Sequence, residues 1–344
     1  MKQKRVVSWL MALALSVGLM GCSAANPQTS PEATTQPTQE VFQGEDVRLA
    51  VLSGPTGIGA AKLLTDSDSD ATVNHYTYTV ATDNNEVVAG LTAADGEFDI
   101  AMVASNVAAN LYNKTQGDIQ ILALGTQGVL HILESNGGTA IQSMADLKGK
   151  TIYATGQGAN PEYILRHLLT ENGLDPDKDV EIVFADPNEI SAKLISGEIE
   201  TAMLPVPAAT AAMAKSQGSV RDAIDLTSAW NDLDNGSQLI MSAVVARTDF
   251  VKEHPQAVET FLKEYEASVT YVKDNAQQAG QLVADLGIAP SAAIAQKAIP
   301  QCNLVFLSGA DMKPAINGYY EVLYSINPTA VGGAVPDDGI YYVP

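Results

Sequence analysis

The stretch VLSGPTGIGAAKLL, residues 51–64, decides how this chain is to be read. A mostly apolar run from Val47, interrupted only by Arg48, ends at Leu52, and Ser53, Gly54, Pro55 and Thr56 form a turn. From Gly57 onward apolar residues recur at helical spacing. A strand that runs through a Gly/Pro turn straight into a helix is half of a βαβ unit. Such a turn sets a helix N-terminus, with its free N–H groups and partial positive charge, beyond the carboxyl end of the strand. Phosphate loops use the same geometry, but this turn lacks their residues. Gly54 and Gly59 have four residues between them, yet Ala60, Ala61 and Lys62 follow where Gly-Lys-Ser/Thr is needed. Lys62 also occupies the place of the third glycine of the dinucleotide fingerprint. No nucleotide cofactor is expected. The turn is suited to holding a polar group of a small molecule through backbone amides.

Short apolar runs alternate with helical patterns along the rest of the chain. The pattern predicts strands at 47–52, 98–103, 119–124, 151–155, 180–184 and 201–204, with helices such as 84–94 and 161–172 between them. That alternation points to an α/β architecture of mostly parallel sheets with helices on their faces. The chain also repeats itself. GEFDIAMVASNVAAN from Gly96 and GEIETAMLPVPAATA from Gly197 share an order of glycine, acid, Ala-Met and Ala-rich helix, at an offset of 101. The same offset carries Gly57 onto Gly158 in TIYATGQGANPEYIL. Two halves built on one plan would each have an open sheet, and open sheets bind ligands beyond the carboxyl ends of their strands. Those ends are Ser53, Gly54, Pro55, Thr56 and Gly57 with Ser105 and Asn106 in one half, and Gly158, Ala159 and Asn160 with Pro205 and Pro207 in the other. Ser, Asn and Gly are ordinary cap residues, and Pro161 suits a first helical turn. Each of these turns alone reads as a cap; their joint placement points to a ligand site.

The chain is expected to pass between the halves near 127–131 and again near 241–246. It then returns to the first half as amphipathic helices such as 258–272. Two such passages make a hinge, and hinged lobes close on ligands. The predicted boundaries are 46–128 with 246–344 for the first lobe and 129–245 for the second.

Catalytic and metal chemistry find little footing. His75, His131, His167 and His254 are scattered and sit in no nucleophile or zinc motif. Asp66, Asp68 and Asp70 alternate with serines but lack the glycine and the closing glutamate of a calcium loop. Beyond Cys22 only Cys302 remains, so an intramolecular disulfide within the body is excluded, as is a thiolate zinc site. Neither a metal nor a cofactor is expected. Tyr76, Tyr78, Tyr163, Trp230 and Arg247 are candidate cleft residues whose positions only a fold can assign.

The amino-terminal segment sets the compartment. Lys2, Lys4 and Arg5 precede an apolar run, the pattern of a secretory leader, and its end in LMGC resembles the bacterial lipoprotein cleavage box, which implies a cut before Cys22. Residues 1–21 form the expected signal peptide. Residues 22–45, rich in Ser, Thr, Pro and Gln, form an expected disordered tether. The net charge is −21, and loss of the three basic residues of the leader takes it to −24. An acidic surface of this kind excludes nucleic acid as a partner.

Four stretches resemble the substrate-binding lipoproteins of ABC importers, in the branch of sulfonate-, nitrate- and thiamine-precursor-binding proteins. They are MADLKGKTIYATGQGANPEYILRHLLTENGLDPDKDVEIVF (144–184), ISGEIETAMLPVPAATAA (195–212), GEFDIAMVASNVAANLYNK (96–114) and ARTDFVKEHPQAVETFLKEY (246–265). The resemblance implies a type II periplasmic-binding-protein fold, with two α/β lobes joined by two hinge crossings. It also implies lipid on Cys22, capture of one small organic molecule, and delivery to a membrane permease and its ATPase by a monomer outside the cytoplasm. Sulfonates, thiamine precursors and aromatic or heterocyclic compounds are the ligand classes it suggests. Relatives contact ligand from the turns matching 53–56, 105–106 and 158–160 and from Pro205 and Pro207. Many place an arginine or an aromatic ring in the cleft, and no such residue stands in these turns here. The Cys-rich motif of fungal enzymes on this fold is absent. A sensor for a membrane signalling partner and an exported enzyme are the alternative functions.

Overall fold

The computed structural model describes residues 42–93 and 96–344. The expected leader, Cys22 and the tether up to residue 41 lie outside the described residues. The strands are β1 (Asp46–Leu52), β2 (His75–Ala81), β3 (Ile100–Ala104), β4 (Ile119–Gln127), β5 (Leu130–Glu134), β6 (Thr151–Ala154), β7 (Glu181–Phe184), β8 (Thr201–Pro205), β9 (Arg221–Asp225), β10 (Ile240–Arg247) and β11 (Leu304–Ser308).

They form two sheets. The larger has the order β11-β4-β10-β3-β1-β2 and the smaller β7-β6-β8-β5-β9. β1 runs parallel to β2 and to β3, and β6 runs parallel to β7 and to β8. In each sheet the next two pairings are antiparallel, β3–β10–β4 in one and β8–β5–β9 in the other. The two sheets thus share one plan over five strands. The offset of 101 places Ile100–Ala104 of β3 on Thr201–Pro205 of β8.

The sheets are mixed rather than mostly parallel, and the reason is the chain crossing. β4 belongs to the larger sheet, but β5, which follows at once, belongs to the smaller. β9 lies in the smaller sheet and β10 in the larger. A strand arriving from the other half enters beside β3 or β8 without a crossover helix in its own sheet, and only an antiparallel pairing is then short enough. The first change of sheet falls within 127–130. The second lies upstream of its expected position, between Asp225 and Ile240. Residues 241–246 are inside β10, with Ser242 opposite Ala104.

Local sequence explains the helices that cover the sheets. Asp83, Asp186 and Asp225 cap the helices Asn84–Thr92, Pro187–Ser196 and Leu226–Asn231, each side chain accepting from a first-turn N–H. Helix Pro255–Asp274 buries Ala257, Val258, Phe261, Tyr265, Ser268, Val269 and Val272, a stripe at 3.6-residue spacing. Its Ser268 hydroxyl accepts from Leu63 N–H and donates to the Gly59 carbonyl, fixing this helix to the one that follows the opening turn. Cys302 is free and buried, and burial pushes its thiol up to about 12, so the thiolate is scarce at neutral pH.

Candidate functional site

The carboxyl edges of the parallel strands meet at the two crossings. Ser242 of β10 lies opposite Ala104 at the end of β3, and Ile240 lies opposite Gln127 at the end of β4. Leu130, the first residue of β5, lies opposite Pro205 at the end of β8. Val206 N–H donates to the Val129 carbonyl at 2.9 Å, and Asn303 Nδ2 donates to the Gly128 carbonyl at 2.7 Å. A Cβ on Gly128 would stand 2.3 Å from Thr227 Oγ1 and 2.7 Å from Leu239 Cδ2, so the passage admits no side chain. Pro205 and Pro207 are half-buried and flank a cis Val206–Pro207 bond at this edge.

At the end of β1, Ser53 N–H donates to the Ala81 carbonyl and Gly54 N–H to the Ile288 carbonyl. Gly54 has φ 81° and ψ −157°, a conformation essentially confined to glycine, and space for a side chain beyond it is open. Pro55 and Thr56 are half-buried in the following turn. Gly57 has a different role. A Cβ there would lie 2.2 Å from the Leu52 carbonyl oxygen and 2.6 Å from Val51 Cγ1, so this glycine lets the turn fold back on its own strand.

Ser105 and Asn106 open helix Ser105–Thr115 at the end of β3. Ser105 is fully buried; its hydroxyl donates to the Ile240 carbonyl at 2.7 Å, and its carbonyl accepts from the Tyr320 hydroxyl at 3.0 Å. Its side chain therefore ties the crossing strand down. Asn106 is half-buried beside it.

The turn beyond β6 is different. Gly158 is exposed with φ 71°, and its N–H donates to Glu162 Oε2 at 2.7 Å. Ala159 caps helix Asn160–Glu171 with extended backbone. Asn160, the first helical residue, is 3% exposed, and neither its Oδ1 nor its Nδ2 has a hydrogen-bond partner among the described residues. A buried, unpaired amide is costly, so native structures nearly always give one a partner. Next along the helix, the Tyr163 hydroxyl donates to the Gly158 carbonyl and accepts from Asn327 Nδ2, both at 2.9 Å. The helix start is thus held from the C-terminal segment.

Helix Met312–Ile326 joins the parts. Tyr320 reaches Ser105, and the Tyr319 ring meets Trp230, which also packs on His167 with ring centroids 4.9 Å apart. Burial pushes the Tyr319 hydroxyl far above its ordinary range, the neighbouring Ser105 side chain opposing, and that hydroxyl makes no well-formed hydrogen bond. Sequence reasoning missed Tyr319. Its signal was the pair Tyr319-Tyr320 on an otherwise amphipathic helix.

Three candidate cleft residues lie elsewhere. Tyr76 is at the amino end of β2, opposite Val47, with its hydroxyl on Glu264. The Tyr78 hydroxyl donates to Asp68 on the outer surface. Arg247 ends β10 beside Ile119, the amino end of β4, and pairs with Asp249. It borders a cavity of about 520 Å³ lined also by Asp118, Thr248 and Lys252, at the opposite end of the sheet from the glycine turns. Among the described residues no cluster of His, Cys, Asp and Glu is suited to a metal ion, and no helix is long and apolar enough to cross a membrane.

Residues 78–279 match the family described as NMT1/THI5 like. The chain belongs to this family. That span includes both crossings and the turns at 105–106, 158–160 and 205–207. A Brucella abortus (strain 2308) protein provisionally named a binding protein is 26% identical over 176 residues, 51% of each chain. A Brucella suis protein of the same provisional name matches to the same extent. The chain spans about half the length of the curated relatives it matches. Among solved structures, an ABC transporter protein from Parabacteroides distasonis superposes with TM-score 0.71 at 24% identity, covering 87% of this chain and 98% of that one. The periplasmic aliphatic sulphonate-binding protein of Escherichia coli superposes with TM-score 0.67 at 16% identity, covering 87% and 92%. These likenesses show that the NMT1/THI5-like chain has the two-lobed fold of periplasmic binding proteins.

Proposed function

We propose that this protein is an extracytoplasmic solute-binding lipoprotein of an ABC importer. In this reading Cys22 carries the lipid, the tether ends near residue 45, one lobe is built on the larger sheet including β10, and the other on the smaller sheet. One small organic molecule binds between the carboxyl edges of the two sheets and is handed, unaltered, to a membrane permease driven by an ATPase. The backbone around Gly54 and Gly158, the half-buried Asn106, and Pro205 and Pro207 line the site. Ser105 and Gly57 shape it from behind.

The observation that carries the reading is Asn160. Its amide is 3% exposed and unpaired, at a helix N-terminus beyond a strand's carboxyl end, where open α/β sheets take their ligands. The double crossing supports it, because both lobes can swing about 127–130 and about the segment before Ile240. The strand-edge groups present no pair of titratable side chains placed to exchange protons with a substrate, which favours binding over turnover.

The test is a thermal-shift screen of the mature protein against sulfonates, vitamins and their precursors, aromatic acids and small heterocycles, followed by native mass spectrometry of each hit. One hit bound per chain and recovered chemically unchanged supports the reading. Conversion of the hit by the pure protein contradicts it.

A further inference from the structure

The chemistry of Asn160 narrows the guest further, on the basis of the solute-binding reading above. A primary amide offers one carbonyl acceptor and one NH₂ donor side by side. Both are free in Asn160, and both are shielded from solvent. Only a partner carrying a donor next to an acceptor satisfies both atoms at once. A sulfonate, nitrate or carboxylate carries acceptors alone. It would engage Nδ2 and leave Oδ1 buried against negative charge, an arrangement that costs more than leaving the amide in water.

The cations point the same way. Each arginine among the described residues is committed to carboxylates: Arg48 to Asp99, Arg166 to Glu162 and Asp177, Arg221 to Glu134, and Arg247 to Asp249. No lysine or arginine stands in the turns at 53–57, 105–106, 158–160 or 205–207. Inorganic and sulfonate anions in water-excluding sites are generally met by such cations or by convergent donors. The net charge of −21 adds a repulsive field for any anion approaching the protein.

We infer that the guest is recognised at an uncharged edge in which an N–H lies cis to a carbonyl, as in a primary carboxamide, a lactam or a cyclic imide. Asn160 Oδ1 accepts from that N–H while Nδ2 donates to that carbonyl. The two hydrogen bonds are parallel and close a ring, so the contact fixes the plane of the guest as well as its position.

Calorimetry on the mature protein with matched compounds tests this. Benzamide, 2-pyrrolidone and succinimide present the edge. Benzoate, benzenesulfonate and nitrate present acceptors only. N,N-dimethylbenzamide keeps the carbonyl and loses the donor. The expected result is binding by at least one edge-bearing compound, loss of it with dimethylation, and at least about tenfold weakening in both Asn160→Leu and Asn160→Asp, as expected when a buried bidentate pair is lost. Two variants guard against a folding defect, and each is checked by its circular dichroism before titration. Binding by an anion in preference to its amide counterpart overturns the inference and leaves the solute-binding reading standing. Amide binding unaffected by either Asn160 variant also overturns it. Silence from every edge-bearing compound does so too, and the wider screen then decides the solute-binding reading separately.

Discussion

The ring of Trp230 stands edge-on to that of Tyr319, with centroids 5.5 Å apart and planes at 68°. Trp230 belongs to helix Leu226–Asn231, which follows β9 of the smaller sheet. Tyr319 belongs to helix Met312–Ile326, whose Tyr320 reaches Ser105 at the end of β3 in the larger sheet. The pair therefore connects structure hung on both sheets, and it is fully buried. Trp230→Ala should cost about 3–5 kcal/mol of stability, the usual range for a large aromatic deleted from a core. Tyr319→Phe, which removes only a hydroxyl without a well-formed partner, should change stability by less than about 1 kcal/mol. Urea unfolding of both variants checks the contrast, and equal losses would contradict it.

Asn160→Leu separates ligand binding from folding. Replacing a buried, unpaired amide by an apolar side chain of similar size should leave the ligand-free protein as stable as before, or more stable by up to about 2 kcal/mol. The same substitution should abolish stabilisation by any guest found in the screen. A loss of stability without ligand would show that Asn160 has a structural partner.

Gly54 and Gly57 should fail for different reasons. Gly54→Ala meets no atom, so its cost is backbone strain at φ 81°, about 1–3 kcal/mol. Gly57→Ala drives a Cβ to 2.2 Å from the Leu52 carbonyl oxygen, and the turn must shift. Thermal unfolding should show the larger loss at Gly57. A substitution at Gly57 is accordingly a poor probe of ligand contact, because it disturbs the turn itself.

Two histidines give opposite pH signatures. Burial resists charge on His131, but its hydrogen bond to Asp222 at 2.9 Å and the charges of Asp222 and Asp225 outweigh burial, and its pKa is raised. Its folded value exceeds its unfolded one, so its contribution is complete below about 6.5 and is lost as pH rises through the folded value. His167, packed on Trp230, is lowered by burial with Glu171 opposing. Its contribution is present above about 6.5 and is lost as pH falls towards the folded value. Asp222→Asn should therefore cost more stability at about pH 5.5 than at about pH 8, whereas His167→Phe should improve relative to the parent at the lower pH. Denaturant titrations at both pH values check the signs, and reversal of either contradicts the assignment.

Much of this arrangement was legible in the sequence because strand, turn and helix have different periods. β1 beyond Arg48, β3, and β8 after Thr201 are apolar runs that lead into turns, and the offset of 101 foretold that β3 and β8 are equivalent. β2, HYTYTVA, went unread because its polar residues hide a two-residue alternation on an edge strand. β9, RDAID, is another edge strand with too few apolar residues to signal itself. β5 was read only as part of a passage, since a strand that begins three residues after β4 ends looks like its continuation. At the site, the backbone turns were legible from glycine placement. Whether a Ser or Asn faces guest or neighbour was not, because Ser105 and Asn160 are equally ordinary as cap residues. Only packing shows that Ser105 is spoken for and Asn160 is free.

The most direct measurement is a crystal structure of the protein with its tightest-binding guest. The account predicts one molecule between the two sheets, with Oδ1 and Nδ2 of Asn160 each within about 3.2 Å of it. A guest lodged instead in the cavity beside Arg247, with Asn160 bonded only to water or to protein, would contradict it.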